Sequence, residues 1–191
     1  MDSSLLSASR PQLSRGALVA VASLEIVSMA VWVGGLVALG AVTAPLVFGM
    51  VSMPTSADTM TAIFQRFDKI AMTFAALALA TEAMLALRGG KSGRGDLVRS
   101  GIVTAAAALA IVQGAWLSPA IAGLHQSGVV RGVGDAGLTL DRTHHWAEVG
   151  AKGQVLFLLL AIVLVVVKVA RASAPFNELN TARAIEPSSS P

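Results

Sequence analysis

Residues 153–170 read GQVLFLLLAIVLVVVKVA, a run whose only charge is Lys168. A segment this apolar satisfies its backbone away from water only as a helix or within a closed barrel, and a helix rising about 1.5 Å per residue needs about 20 residues to cross a hydrocarbon layer of about 30 Å. The chain offers four runs of that scale, at 17–50, 69–88, 101–124 and 149–170. The first carries only Glu25 as a charge and is longer than one crossing requires. No stretch alternates with a period of two, which disfavours a barrel. The expected fold is therefore all-α, an integral membrane four-helix bundle over residues 16–172, with flexible polar tails at 1–15 and 173–191. A hydrophobic content of 54% against 13% charged residues excludes an ordinary soluble domain.

Lysine and arginine are retained on the cytoplasmic side, so their distribution sets the orientation. Arg10, Arg15, Arg88, Lys91, Arg94, Arg99, Lys168, Arg171 and Arg183 fall on one side; Arg66, Lys69, Arg131, Arg142 and Lys152 fall on the other. Both termini are expected in the cytoplasm, with the chain in a bacterial inner membrane. The first run is too long for a cleavable leader and is read as a retained helix. The segment TSADTMTAIFQRFDKI before the second run has apolar residues at helical spacing, read as a surface helix or as the extended start of that span. Runs one and three end in APLV and SPAI, an echo that fits two helical hairpins in tandem, each bent at its proline.

Several residues could carry chemistry. Ala30, Gly34, Ala38, Gly40 and Ala44 are small residues of the kind that lets membrane helices approach, and are read as helix packing. Glu25 and Glu82, with Lys168 and Gln113, are intramembrane polar groups; a charge there costs at least about 2.5 kcal/mol on insertion scales, so they need partners. They are read as a buried carboxylate paired with Lys168, as side chains reaching the headgroups, or as a proton or ion relay. On the outer side, His125, His144 and His145, with Met50 and Met53, offer imidazole and thioether donors suited to copper or haem iron. His144, Glu148 and Lys152 share a helix face at successive i, i+4 positions, an outer helix-entry ladder. No phosphate-cradling loop, zinc helix motif or partnered nucleophile occurs, so no catalytic residue is assigned.

The motifs WVGG, AP, FQRFDKI, SPAIAGL and LDRTHHWAEVGAKGQ, in this order, resemble the transmembrane protein 205-like family of four-helix membrane proteins over about residues 17–172. Leu140 stands where that family has an aromatic residue, and Thr143-His144 where it has Leu-His. The family is similar at a distance to the copper-resistance protein D membrane domain and to membrane protoporphyrinogen oxidases. The resemblance implies a fold and places a functional histidine at His144; it implies no settled activity.

Three readings follow. The first is a membrane protein without catalysis that supports transport or stress tolerance. The others are a copper or haem site at the outer boundary, and a proton-coupled transporter of a small solute or ion. Lipid is the expected partner and a homo-oligomer is open, whereas six Phe, three Trp and no Tyr supply no platform for nucleic acid. The absence of cysteine makes the orientation directly testable. A membrane-impermeant maleimide applied to intact cells lacking an outer barrier should label Ser127→Cys and spare Lys91→Cys until the membrane is permeabilised; the opposite pattern inverts the topology.

Overall fold

The structure is a computed structural model that describes residues 14–88 and 93–185, with the backbone alone at residues 15, 18, 88 and 171–185. Helix α1 (Arg15–Ala38) passes through a π-helical turn (Leu39–Thr43) into α2 (Ala44–Met50). The return helix α3 spans Thr55–Arg88. Helix α4 (Arg94–Val112) passes through a second π turn (Gln113–Leu117) into α5 (Ser118–Gln126), and α6 (Gly134–Ile185) completes the bundle. Among the described residues there is no strand, and four helical segments are long and apolar enough to cross a membrane.

Local sequence sets the start of α1 and the place of both π turns. The Ser14 hydroxyl accepts a hydrogen bond from the Ala17 amide (3.3 Å), capping one of the free donors at the start of α1. Both π turns sit directly before a proline. Ala44, preceding Pro45, donates to the Leu39 carbonyl, and Ser118, preceding Pro119, donates to the Gln113 carbonyl. Proline removes the next donor and crowds the carbonyl four residues back, so the ladder shifts to the i→i+5 pairing there. The shift of 74 residues that carries Leu39 onto Gln113 and Pro45 onto Pro119 also carries Glu25 onto Arg99.

The helices form a closed ring. α1 packs on α3 and α6, and α4 packs on the same two, leaving α1 opposite α4 and α3 opposite α6. The inward face of α1 is Glu25, Ser28, Met29, Trp32, Val33 and Leu36, a run at spacings of three and four. Much of the remaining core is alanine: Ala71, Ala75 and Ala78 from α3, Ala106, Ala107 and Ala110 from α4, and Ala161 from α6. The bulkier aliphatics Leu156, Leu159, Leu160, Val163 and Val166 are turned outward. Lipid gives little drive to bury large apolar groups, so close backbone approach over small side chains takes over.

That arrangement corrects the expected packing stripe. Ala30, Gly34, Ala38 and Gly40 are exposed and Ala44 is half-buried; nothing lies within 4 Å of a methyl group placed at Gly34 or Gly40. The inward face of α1 is already taken by Glu25, Met29, Trp32 and Leu36, which leaves the stripe facing out. The close approaches occur elsewhere. A Cβ at Gly35 would lie 2.3 Å from Phe67 Cε2, and one at Gly153 would lie 3.0 Å from Leu109 Cδ1.

The helices also begin earlier than the apolar runs, at Thr55, Arg94 and Gly134 against expected starts of 69, 101 and 149. The segment before the second run is thus the first part of α3, and Arg94 and Arg99 are helical residues. At the ends, residues 1–13 of the expected N-terminal tail and residues 186–191 of the expected C-terminal tail lie outside the described residues, as does Lys91; helical backbone continues to Ile185.

Gly35→Ala should lower the melting temperature of the detergent-solubilised protein, because Phe67 must yield; overpacking of this kind costs about 1–3 kcal/mol. Gly34→Ala should be neutral, and Phe67→Leu should restore Gly35→Ala. Equal melting of the two glycine variants would show that no such approach exists.

Candidate functional site

The interior of the bundle carries polar side chains at successive depths. At the end of the bundle where α3 finishes and α4 begins, Glu25 of α1, Glu82 of α3 and Arg99 of α4 meet. Arg99 Nη2 donates to Glu82 Oε2 at 3.0 Å, and Nε lies 3.0 Å from Oε1 without the alignment of a hydrogen bond. Arg99 Nη1 approaches Glu25 Oε2 only to 3.7 Å. Glu25 is 0% exposed, and neither of its oxygens accepts a hydrogen bond from a described donor. One guanidinium, always charged, therefore faces two carboxylates and satisfies one of them well.

Lys168, expected as the carboxylates' partner, is exposed and instead holds Asp96 Oδ1 at 2.5 Å. The reason is one of register. Asp96, in the first turn of α4, lies at the rim where Lys168 reaches it, while Arg99, three residues further on, turns inward.

Further along α4, past Val103, Ala106, Ala107 and Ala110, comes a network of neutral groups. Trp32 Nε1 donates to Gln154 Oε1 (3.2 Å), and Gln154 Nε2 donates to Gln113 Oε1 (3.3 Å). Three helices are thereby tied together by two buried hydrogen bonds, each worth about 1 kcal/mol net and costing more if a partner is left unpaired. Beyond it, the Ser118 hydroxyl donates to Asp68 Oδ2, both side chains being buried. A Cβ at Gly114 would lie 3.3 Å from Asp68 Cβ, so the second π turn packs directly on this carboxylate.

At the opposite end of the bundle, His125 of α5 and His144 of α6 face each other with their Nε2 atoms 3.4 Å apart. His145 is directed away and lies edge-on to Trp146, ring centroids 6.2 Å apart. Met50 and Met53 are exposed, and the Met53 sulfur accepts a hydrogen bond from Ser56 Oγ at 3.0 Å. Glu148 and Lys152 form their exposed pair at 2.6 Å, whereas His144 turns to His125. Among the described residues no group of three or more His, Cys, Asp or Glu could hold a metal ion.

Arg99, Asp68, Ser118 and Gln154 belong to this interior although the apolar runs alone do not single them out. For two of them a signal was present. Asp68, Ala71, Ala75, Ala78 and Glu82 keep helical spacing, as do Arg99, Val103, Ala106 and Ala110, so the charges extend the buried faces by one turn.

The chain belongs to the family described as Domain of unknown function (DUF4149), whose model matches residues 27–129, more than half its length. No curated protein and no solved structure matches it. The matched stretch contains Glu82, Arg99, Asp68, Gln113, Ser118 and His125, and ends before α6.

Truncating Arg99 should destabilise strongly, by about 3–5 kcal/mol, since two carboxylates are then stranded. Arg99→Met should melt far below the parent, and adding Glu25→Gln with Glu82→Met should recover most of the loss. If the triple variant melts no higher than Arg99→Met, the three side chains do not share one electrostatic site.

Proposed function

We propose that this multi-pass membrane protein binds and releases a proton at Glu25 in the course of moving a small solute or ion across the membrane. The observation that carries this reading is the Glu25 carboxylate, wholly buried, 3.7 Å from a guanidinium already engaged by Glu82, and without a hydrogen-bond donor among the described residues. With all three groups ionised the cluster bears one net negative charge among apolar walls, which is costly. One proton on Glu25 makes it neutral. A purely structural ion pair would need only one of the two carboxylates.

A second buried carboxylate supports a route. Asp68 stands fourteen residues before Glu82 on α3, roughly 21 Å along the helix axis at 1.5 Å per residue. The two acidic positions thus lie toward opposite membrane faces, with the Trp32–Gln154–Gln113 network between them. Resemblance to transmembrane protein 205-like proteins is compatible with a transport or stress-tolerance role and supplies no substrate.

The protein reconstituted in vesicles loaded with a pH-sensitive dye should admit protons under an imposed gradient faster than protein-free vesicles, and Glu25→Gln should abolish the difference. Infrared difference spectra across a pH step should contain a carboxylic acid carbonyl band that Glu25→Gln removes. Identical spectra and identical flux in the two proteins would exclude Glu25 as the exchanging group.

A further inference from the structure

We infer that His125 and His144 form a two-coordinate site for a monovalent d10 metal ion, copper(I) or silver(I), at the outer end of the bundle. This site uses residues outside the carboxylate cluster and stands independently of the proton reading.

The local sequence builds the pair. Helix α5 ends in a Schellman motif: the Val129 amide donates to the Leu124 carbonyl (3.1 Å) and the Gly128 amide to the His125 carbonyl (2.9 Å), with Gly128 at φ +71°. Gly132 (φ +78°) then donates to the Gly137 carbonyl at 3.0 Å, folding the connection back onto the start of α6. No side chain fits at Gly137, where a Cβ would lie 2.3 Å from the Val130 carbonyl oxygen. Arg131 Nε holds Asp141 Oδ1 at 2.6 Å and fixes the connection to α6. Two histidines nineteen positions apart are thus brought face to face by backbone geometry.

Their orientation is that of ligands. The ring centroids lie 5.6 Å apart and the nitrogens 3.4 Å apart, a difference of about two ring radii, so both Nε2 atoms lie near the line joining the rings. A nitrogen separation of 3.4 Å is long for a hydrogen bond, for which about 2.7–3.2 Å is usual. An ion bound in line at about 2.0 Å from each imidazole nitrogen sets them about 4 Å apart. A few tenths of an ångström of rotation in each half-buried side chain makes that opening.

The charge of the ion follows from what surrounds it. A structural zinc ion takes four protein ligands. The described residues offer no group of three. Asp141, the acidic group nearest in sequence on α6, is held by Arg131, whose positive charge disfavours a divalent ion more than a monovalent one. Imidazole suits copper, and a filled-shell monovalent ion accepts two ligands in a line.

The test is titration of the full-length detergent-solubilised protein with silver(I), which needs no reductant, followed by imidazole 15N NMR and by competition against a soluble chelator. One equivalent should bind, moving the Nε2 resonances of two histidines. His125→Gln or His144→Gln should weaken binding at least about tenfold. His145→Gln and the double variant Met50→Leu, Met53→Leu should bind as the parent does. Unshifted Nε2 resonances in the parent would overturn the site, as would loss of binding in the methionine variant. The parent spectrum decides even where a histidine variant fails to fold.

Discussion

A guanidinium inside a lipid-facing bundle fixes more of this structure than any apolar contact. Arg99 cannot shed its charge, and removing it from water costs several kcal/mol unless carboxylates surround it. Its partners come from two other helices, Glu25 of α1 and Glu82 of α3. α1 and α4 do not pack directly on one another, so Arg99 reaches across the ring and joins opposite members of it. Sliding any of the three helices by one turn, about 5.4 Å, would strand a charge in the core. Apolar packing gives no such discrimination here, because a core made largely of alanine tolerates axial displacement with little change in contact.

That weak axial specificity is a consequence of the solvent. In water, α6 would have to hide Leu156, Leu159, Leu160, Val163 and Val166; in lipid these residues face out at no cost. The interior is left to side chains that permit approach or that bond across helices. Gln113, Gln154 and Trp32 supply such bonds at one depth, and Asp68 with Ser118 at another. The polar side chains define the vertical register of the bundle and the alanines its width.

The fold class was readable because four long apolar runs admit few structures, whereas much of the interior was not, for two physical reasons. First, hydropathy marks where lipid begins and not where a helix begins. Asp68 and Arg99 lie outside the apolar runs at 69–88 and 101–124, yet both are helical and buried. Second, a π turn breaks the 3.6-residue period. Gln113 and Ser118, five positions apart, would diverge on an α-helix but both face inward across the second π turn. The small-residue stripe misled for the converse reason: Ala30, Gly34 and Ala38 keep a regular spacing, but one helix face accepts one partner, and Glu25, Met29, Trp32 and Leu36 already occupied it. Nor does spacing reveal the meeting of His125 with His144, which depends on the three glycines of positive φ at 128, 132 and 134.

The two halves of the chain share a plan and differ in charge. Each has a long helix, a π turn, a proline and a short helix before its return helix, and one shift of 74 residues relates the π turns and prolines. Under that shift Glu25 of the first half corresponds to Arg99 of the second. A further shift of 86 residues relates buried Asp68 and Ala75 of α3 to buried Gln154 and Ala161 of α6. At these two positions the first half carries an acidic group and the second a permanently basic or a neutral one. A bundle built only for stability would gain most from matching these positions one to one, with Glu25 against Arg99 and no third charge. Glu82 breaks that balance from α3 by taking the better geometry on Arg99, and it is this displacement that leaves both Glu25 oxygens without a hydrogen bond from a described donor.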